Sequence, residues 1–423
     1  MASSIKYALL PYMTALLLCA RKDLESVEPL RQIILDADRN LRIDDWSLSS
    51  DELDLGTPVR WRVEKDVLHG GRQEGVDRIR VQSGDLSFTV IPTRGMNLWE
   101  ARVGDVRLGW DSPVKEVVHP HHVNLEARGG LGWLEGFAEW VNRCGLASCG
   151  APGEDRVRSN TGSIVPVNLT LHGKVSYLPA RSVEVVLERG PKPVIKVRGV
   201  VDETMMFGTQ LRLITEISTE VGSRSIVVAD EIRNLASTEQ EFQILYHANF
   251  GKPLLGDGSR LVAPALRVTP RDQRAAEGDI KAWSAYGAPT SGYVEQVYYL
   301  DLAAAPDGRT EVLLRGPSGE RGASVEFSKK ELPCMTIWKN TASEPNGYVT
   351  GIEPATSYSN PRSFERKQGR VPMLKGGQSF HATLRFTAHL DGEAVKAAEA
   401  RIAKLLEGRE TKLDKDPAPD VSP

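Results

Sequence analysis

Three short segments of this sequence each place a proton-handling side chain beside a stretch with the character of a β-strand. They are LHGK, which contains His172, ILYHANFG, which contains His247, and GIEP, which contains Glu353. An imidazole titrates near neutral pH and a carboxylate can accept a proton, so these residue types together could perform general acid–base chemistry. Because the three segments lie far apart in the chain, only the tertiary fold could bring them into one cleft.

Each of these residues also has a purely structural interpretation. Alternation along ILYHANFG places His247 on the same strand face as Leu245, where a single histidine is more often a hydrogen-bonded core residue. His172 could be a turn histidine at a strand end, since Gly173 permits an unusual turn or close backbone approach. Glu353 precedes a proline and could end a strand in a salt bridge, because an unpaired buried charge is costly.

Composition limits the classes of partner. The 423 residues include 53 Lys and Arg against 56 Asp and Glu, a formal charge of −3. This balance gives no electrostatic reason to expect nucleic acid or a stable membrane partner, and it favours a small neutral ligand. Four cysteines without a CxxC pair indicate mostly free thiols, with a Cys144–Cys149 bridge left open.

Short runs of alternating apolar and polar residues dominate the chain beyond Arg60. Their β-branched content and the Gly, Pro, Asn and Asp residues between them predict antiparallel strands. The runs are residues 85–91, 183–187, 210–217, 225–232, 310–314, 323–327 and 382–387. Because helices and strands do not alternate, an all-β fold, a large β-sandwich, is favoured over a doubly wound parallel sheet.

The two ends of the chain have a different character. Residues 1–28 include an apolar run at 7–20 that has three interpretations: an export signal, an anchoring helix or an upstream extension. We expect a cytoplasmic protein, with export left open by this run. Residues 29–60 are expected to form an irregular arm, in which the apolar spacing over 27–37 is that of a helix.

The main domain is predicted to span residues 61–390, followed by a helix within 391–410 and a disordered polar tail at 411–423. Between Trp110 and Pro166 lies a long Gly- and Trp-rich stretch with few clean strands. A long connection of this kind in a compact domain is usually functional, so it is predicted to form the wall of a site.

The motifs around the three candidate residues resemble those of a known superfamily. YHANFG, LHGK and GIEPATSYSNPRSFERKQGRVPMLKGGQSF look like segments of the aldose 1-epimerase (galactose mutarotase-like) proteins, including an Asn-Pro region and a later proline, leucine, glycine run. VIPTRGMNLWEA, RLGWDSPV, RGGLGWLEGF and NRCGL resemble the DUF4432 branch of that superfamily, and the resemblance covers about residues 45–391.

This resemblance implies a β-supersandwich with a C-terminal helix, whose open concave face binds a sugar. By the same resemblance, His247 protonates the ring oxygen of the sugar and Glu353 removes the proton of the C1 hydroxyl. The hemiacetal ring then opens, C1 rotates, and the ring closes on the other face. His172 matches the histidine that binds and polarises the substrate, and neither a cofactor nor a metal ion is expected.

The remaining substrate contacts are less well defined by the motifs. Arg143 is the first choice for the superfamily's substrate-binding arginine and Arg94 is the second. The superfamily's sugar-binding aspartate has no counterpart that can be placed. Asn249, Lys174 and Trp338 complete the predicted substrate-binding set, while the sugar and the oligomeric state are left open.

Two other classes of function compete with an epimerase. His172, His247 and Glu353 could instead form a two-histidine, one-carboxylate metal site in a metal-dependent sugar enzyme. A second histidine cluster, HPHH at 119–122, is more simply explained as an exposed turn. The third interpretation is a non-catalytic carbohydrate-binding protein, in which Trp338 and the tryptophans of the Gly- and Trp-rich stretch would stack on a sugar or simply fill the core.

Overall fold

Alternation of apolar and polar side chains organises the protein into two large, mainly antiparallel β-sheets. A computed structural model describes residues 28–423, so the predictions for the apolar run at 7–20 lie outside the described residues. Within 28–423, no helix is both long and apolar enough to cross a membrane.

The strands before the middle of the chain are β1 (Leu30–Asp36), β2 (Leu41–Arg42), β3 (Trp46–Ser49), β4 (Trp61–Val67), β5 (Asp77–Ser83), β6 (Leu86–Ile91), β7 (Asn97–Val103), β8 (Val106–Leu108), β9 (Val141–Leu146), β10 (Gly153–Arg158), β11 (Ile164–Leu169), β12 (Ser182–Glu188), β13 (Val194–Thr204) and β14 (Gln210–Glu220). The later strands are β15 (Ser225–Asn234), β16 (Gln240–Glu241), β17 (Gln243–Phe250), β18 (Arg260–Val262), β19 (Ala265–Pro270), β20 (Gln296–Leu302), β21 (Arg309–Arg315), β22 (Gly322–Ser328), β23 (Cys334–Asn340), β24 (Val349–Ala355), β25 (Met373–Leu374), β26 (Ser379–His389) and β27 (Lys412–Leu413). The α-helices are α1 (Ala127–Gly130), α2 (Gln273–Ala276), α3 (Arg362–Lys367) and α4 (Gly392–Leu406).

One sheet has ten strands in the order β18-β21-β22-β26-β15-β14-β13-β12-β1-β2. The other has thirteen, in the order β27-β19-β20-β23-β24-β17-β9-β7-β6-β5-β4-β3 with β8 paired to β7. Two small two-stranded sheets, β10-β11 and β16-β25, lie outside them. The main hydrophobic core lies between the large sheets, since it contains apolar side chains from both, such as Val197 and Leu213 from one and Phe88 and Tyr246 from the other.

The predicted all-β sandwich is therefore confirmed, and all seven predicted strand runs are strands. In β13 and β14 every second residue is buried, as expected for a sheet with one face on the core and the other in water. The C-terminal helix is also confirmed: Asp391 caps its N-terminus by accepting a hydrogen bond from the Ala394 amide at 2.8 Å, and it ends two residues before Gly408.

The helix expected over 27–37 was wrong, because residues 30–36 form strand β1. The strand pairs with β12, and the register between them shifts between Ile33 and Leu35. An extra residue of this kind breaks the period of two, so apolar positions fall at spacings that mimic a helix. Within residues 29–60 the chain supplies edge strands to both large sheets, β1 and β2 to one and β3 to the other.

The disordered tail expected at 411–423 was also wrong. Strand β27 pairs in parallel with β19, and Arg267 forms ion pairs with Asp414 and Asp420. Val421 is buried in a small cluster with Tyr299 and other side chains of the larger sheet. Two ion pairs and one apolar anchor hold a segment whose composition alone indicated disorder.

Arg143 links the two sheets through an ion pair inside the core. From β9 its guanidinium donates to both carboxylate oxygens of Asp230 on β15, at 2.6 and 3.0 Å, and to the Thr215 hydroxyl at 2.7 Å. The Tyr246 hydroxyl also donates to Asp230, at 3.0 Å. Both charged side chains are at most 2% exposed, so neither charge can be solvated if its partner is removed.

We expect Asp230→Asn to lower the free energy of unfolding by about 3–5 kcal/mol, because it leaves the Arg143 charge buried without a counter-charge. The measurement is urea denaturation. The control is Asp202→Asn, which removes a two-point contact with Arg212 in the same sheet, at 2.6 and 2.8 Å, but in side chains that are 20% and 27% exposed. That variant should cost about 1 kcal/mol or less, and equal small losses in both variants would contradict the prediction.

Candidate active site

Strand β17 carries His247 through the middle of the thirteen-stranded sheet. Its neighbours are β9 and β24, and all eight of its residues are buried. Residues directly paired across antiparallel strands point to the same face. Asn142 of β9 is paired with His247, and Gly351 of β24 is paired with Asn249, so the outer face of the sheet collects polar groups from three strands.

Glu353, on β24, reaches the same face. Its Oε1 atom lies 3.2 Å from Nε2 of His247, and the two side chains are 2% and 5% exposed. His172 comes from the turn before residues 175–177, and its ring centre is 5.3 Å from that of His247 in an edge-on arrangement. The fold therefore brings together the three residues on which the sequence interpretation rested.

Aromatic side chains enclose this cluster. The ring centre of Trp133 is 4.7 Å from that of His172, and those of Phe137 and Trp338 are 5.1 and 5.5 Å from that of His247. Trp133 and Phe137 belong to the Gly- and Trp-rich stretch that was predicted to form a site wall. Water is largely excluded from the ionisable groups, while Trp338 remains partly exposed.

The backbone at His172 adopts a left-handed conformation, with φ of +57°. Such a conformation is uncommon for a residue with a side chain. It is held by the His172 amide, which donates to the Gly150 carbonyl at 2.9 Å, and by its carbonyl, which accepts from the Gly145 amide at 3.0 Å. Gly173 is required beside it, because a Cβ there would lie 2.1 Å from the Ser148 carbonyl oxygen.

Gly351 leaves a depression between the catalytic candidates and Trp338. Trp338 is directly paired with Gly351 across the strands β23 and β24. A Cβ built at Gly351 would lie 2.6 Å from Glu353 Oε1 and 2.9 Å from His247 Cε1. Any other residue at this position would push apart the groups that the fold brings into contact.

Burial controls the protonation of the cluster. Removal from water raises the pKa of Glu353 to about 8, with the nearby Glu295 charge adding to the effect and Arg271 opposing it. Burial lowers the pKa of His172 to about 4, against the hydrogen bond from its ring to the Cys149 carbonyl. Burial and the neighbouring His172 place the pKa of His247 well below its usual value. Near pH 7 the cluster is therefore uncharged, with a protonated glutamic acid beside two neutral imidazoles.

Several buried polar atoms of this region have no aligned hydrogen-bond partner. Among the described residues they include Oε1 of Glu353, Nε1 of Trp133 and Oγ1 of Thr336. Thr336 is directly paired with Glu353 across the strands. Buried polar groups are nearly always paired, and exceptions concentrate at functional sites. A ligand with hydroxyl groups could satisfy both the donors and the acceptors of this set.

The hydrogen bond between His247 and Asn249 defines which imidazole nitrogen faces Glu353. Nδ1 of His247 is 2.7 Å from Oδ1 of Asn249. The Asn249 amide nitrogen donates to the Glu139 carbonyl at 3.0 Å and to the His247 carbonyl at 3.1 Å, so its oxygen must be the atom that faces the imidazole. Nδ1 therefore carries the proton, and Nε2 presents its lone pair to Glu353.

The other predicted substrate-binding residues are placed differently. Arg143 is directly paired with Tyr246 and points into the core between the sheets, away from His247. Arg94 is fully buried and donates to three backbone carbonyls while it contacts Glu139. The structure thus does not bring either arginine to the cluster as a free donor, and we leave both out of the proposed contacts. Lys174 is exposed.

Trp338 and Asn249 do contact the cluster. Trp338 packs on His247, as described, and Asn249 is completely buried, where it orients the imidazole. Over residues 28–423, no three His, Cys, Asp or Glu side chains are arranged to hold a metal ion. Cys144, Cys149 and Cys334 are free and buried, so the Cys144–Cys149 bridge that was left open does not form.

Glu295 and Arg271 were missed by the sequence interpretation. Oε2 of Glu295 accepts a hydrogen bond from Nε1 of Trp338 at 2.7 Å, and Oε1 lies 3.1 Å from Nη2 of Arg271. The two side chains are 44% and 31% exposed, at the accessible side of the cluster. Glu295 precedes the alternating residues of β20, but nothing in that pattern shows that β20 pairs with the strand that carries Trp338.

The fold is a galactose mutarotase-like β-sandwich, and it carries a buried contact between a histidine and a glutamate on the outer face of one sheet. The profile of the family described as "Domain of unknown function (DUF4432)" matches residues 73–388. The chain therefore belongs to the DUF4432 family. No curated protein matches the sequence significantly.

Two solved structures illustrate the relationship. A Klebsiella pneumoniae protein described as a candidate aldose 1-epimerase is 38% identical, with a TM-score of 0.87 over 93% of this chain and 99% of that one. A galactose mutarotase-like protein from Clostridium acetobutylicum is 16% identical, with a TM-score of 0.50 over 77% of this chain and 98% of that one. The second similarity concerns the fold alone.

Burial of Glu353 should make stability depend on pH. Its raised pKa means that the folded protein keeps a proton that the unfolded chain loses, so the associated stability is present below about pH 4.5 and is lost as pH rises toward 8. Glutamine cannot ionise, so Glu353→Gln does not lose this stability. We expect its free energy of unfolding, relative to that of the wild type, to increase by about 3 kcal/mol from pH 5 to pH 8.

Chemical denaturation of both proteins at the two pH values measures this difference. Glu311→Gln provides a control because that buried carboxylate lies on the other sheet, where it pairs with Arg401. If the difference in free energy of unfolding between the wild type and Glu353→Gln is the same at pH 5 and pH 8, Glu353 is already ionised in the folded protein and the prediction is contradicted.

Proposed function

We propose that this protein is an aldose 1-epimerase-like isomerase that interconverts the anomers of a sugar, or a related epimer pair, by acid–base ring opening. The observation that carries the proposal is the contact of His247 Nε2 with Glu353 Oε1 at 3.2 Å, enclosed by aromatic rings and beside His172. Membership of the DUF4432 family and similarity to the Klebsiella protein support it.

The reaction needs one proton delivered to the ring oxygen and one removed from the C1 hydroxyl. His247 and Glu353 together hold one exchangeable proton at neutral pH, because the imidazole is neutral and the carboxyl group is protonated. The ion pair of imidazolium and carboxylate has the same number of protons and differs by one transfer across the 3.2 Å contact. The pair can therefore supply and accept a proton within one turnover without exchange with solvent.

We assign the acid role to His247 and the base role to Glu353 when the sugar is bound. Burial alone places the proton on Glu353, whereas this assignment requires it on His247. Sugar hydroxyl groups that donate to the carboxylate would stabilise its charged form and shift the proton toward the imidazole. After His247 protonates the ring oxygen and Glu353 takes the C1 hydroxyl proton, the C1–O5 bond breaks. Rotation about C1–C2 and reversal of both transfers then close the ring on the other face.

His172 and Trp338 are proposed as binding residues. The Cys149 carbonyl accepts from Nδ1 of His172 at 2.8 Å, so Nε2 of the neutral ring is an acceptor for a sugar hydroxyl. Trp338 can stack on the apolar face of the sugar ring. Glu295 is an additional acceptor on the accessible side, beside Trp338.

The first test is anomer exchange measured by NMR saturation transfer with a panel of free aldoses and uronates. We expect the wild type to accelerate exchange of at least one sugar and Glu353→Gln to lose about 100-fold or more of this acceleration, because proton abstraction is removed. Glu311→Gln is the matched control: it replaces a buried carboxylate that pairs with Arg401 beneath helix α4, on the other sheet.

Exchange should remain within about threefold of the wild type in the control. Undiminished exchange in Glu353→Gln would remove Glu353 from the reaction. If the folded wild type binds a sugar of the panel but accelerates the exchange of none, the result would favour the non-catalytic carbohydrate-binding alternative.

The pH dependence of exchange provides a second test. The pair of His247 and Glu353 holds its one exchangeable proton in a window that ends near pH 8, the pKa of Glu353, and that begins at acidic pH, because burial keeps the pKa of His247 well below its usual value. We expect exchange to be maximal within this window and to fall about tenfold per pH unit above it, where the pair loses its only proton. Rates corrected for the uncatalysed reaction, measured from pH 5 to pH 10, check this expectation, and a flat profile to pH 10 would contradict it.

A further inference from the structure

A continuous set of buried polar contacts, one ion pair followed by hydrogen bonds, connects His247 with an arginine that takes no direct part in the proposed proton transfer. It begins at Arg94, whose Nη2 lies 2.7 Å from Oε1 of Glu139, with both side chains fully buried. It passes through Asn142 and Asn249, neither of which is exposed, and ends at Nδ1 of His247.

Arg94 is immobilised by several elements at once. Its guanidinium donates to the carbonyls of Ser176, Val118 and Gly136 at 2.9, 2.7 and 3.1 Å, and it lies 4.2 Å from the ring centre of Tyr177. With its donors used in this way, Arg94 presents a fixed positive charge to Glu139. The carboxylate is thereby held in one position beside β9.

Glu139 determines the orientation of Asn142. Oε2 of Glu139 accepts from Nδ2 of Asn142 at 2.9 Å. An ionised carboxylate is only an acceptor, so the amide nitrogen of Asn142 must face it and the amide oxygen must face the other way. That oxygen is 3.4 Å from Nδ2 of Asn249. The Glu139 backbone carbonyl accepts from the same nitrogen at 3.0 Å, so Glu139 acts on Asn249 through both its side chain and its backbone.

We propose that Glu139, anchored by Arg94, is a positioning residue that acts through Asn142 and Asn249 to keep His247 in the Nδ1–H tautomer. In this tautomer Nε2 is the nitrogen that exchanges a proton with Glu353 or the sugar. With the opposite orientation of the Asn249 amide, its NH₂ group would face Nδ1 and the ring proton would move to Nε2. The contact with Glu353 would then join a donor to a protonated carboxyl group instead of joining an acceptor to it.

The test is the ¹⁵N NMR spectrum of the histidine rings in the full chain at pH 7, with the His247 signals assigned by their loss in His247→Asn. We expect the wild type to show Nδ1 protonated and Nε2 unprotonated. Asn249→Leu removes the acceptor for Nδ1 and should give a mixture of the two tautomers. A wild type in the Nε2–H tautomer would overturn the proposal without any variant.

Glu139→Gln tests the ion-paired end of the set. Arg94 requires an acceptor, so the new amide is expected to turn its oxygen to Arg94 and its nitrogen to Asn142. Asn142 then turns its own nitrogen toward Asn249 and opposes the orientation that the Glu139 and His247 carbonyls hold. His247 should therefore show a mixture of the two tautomers. Gln243→Leu is the matched control, because Gln243 is a fully buried amide on the same face of the same strand but donates to Ser357 instead.

A purely structural role would change thermal stability but leave the His247 tautomer as in the wild type. An unchanged tautomer in folded Asn249→Leu and Glu139→Gln would therefore overturn the proposal, as would the same tautomer shift in Gln243→Leu. The tautomer is measured without a sugar, so this result is independent of whether exchange is detected.

The relevance of the tautomer to turnover rests on the proposed function. With a sugar that the wild type turns over, Asn249→Leu should lower kcat by about 10- to 100-fold and change KM by less than about threefold. A variant with a raised KM and an unchanged kcat would assign Asn249 to substrate binding and overturn its positioning role.

Discussion

The pairing of strand β17 with β9 and β24 is the constraint on which the candidate site depends. It unites groups separated by more than 100 residues of chain, because His247 lies on one strand and Glu353 on its neighbour. Side chains alternate between the two faces of a strand, so a slip of one residue would move His247 to the core face that Tyr246 occupies. The hydrophobic core on that face and the aromatic cover on the other both oppose such a slip. The same packing that stabilises the sandwich therefore specifies the geometry of the contact between His247 and Glu353.

Three buried carboxylates, Glu139 and Glu353 near strand β17 and Asp230 on the facing sheet, illustrate how different the environments of buried acids are. Asp230 is neutralised by Arg143, and Glu139 is neutralised by Arg94. Glu353 has only neutral imidazoles as close neighbours, and burial raises its pKa. The first two carboxylates each have a guanidinium as counter-charge, whereas the third has a pKa of about 8 and can gain or lose a proton near neutral pH. In the proposed function, the stability lost by burying Glu353 is the physical cost of a proton-transfer group at this position.

The enclosure of the cluster is uneven. Trp133 and Phe137 cover it from one side and are buried, while Trp338, Glu295 and Arg271 lie on a side that remains partly open to water. A ligand would reach Glu353 past this open side, and its hydroxyl groups would meet polar atoms that have no aligned partner within the protein. The arginines expected to bind a sugar are instead used inside the molecule, one between the sheets and one behind His247. In the proposed function, recognition on the open side would depend on a carboxylate, an aromatic ring and neutral imidazoles, which is consistent with a neutral sugar.

The sequence by itself determined the all-β class, the seven predicted strand runs, the C-terminal helix and the candidate residues His172, His247 and Glu353, because period-two alternation and short motifs are local properties. Tertiary structure decided the remainder. A register shift made residues 30–36 a strand despite helical apolar spacing, and ion pairs with Arg267 ordered a polar tail. The sequence motif around an arginine is the same whether its side chain contacts a ligand or a buried aspartate. In this structure Arg143 contacts Asp230. Glu139 and Glu295 acquired their positions only through strand pairing across the sheet, which is a long-range property that no local pattern contains.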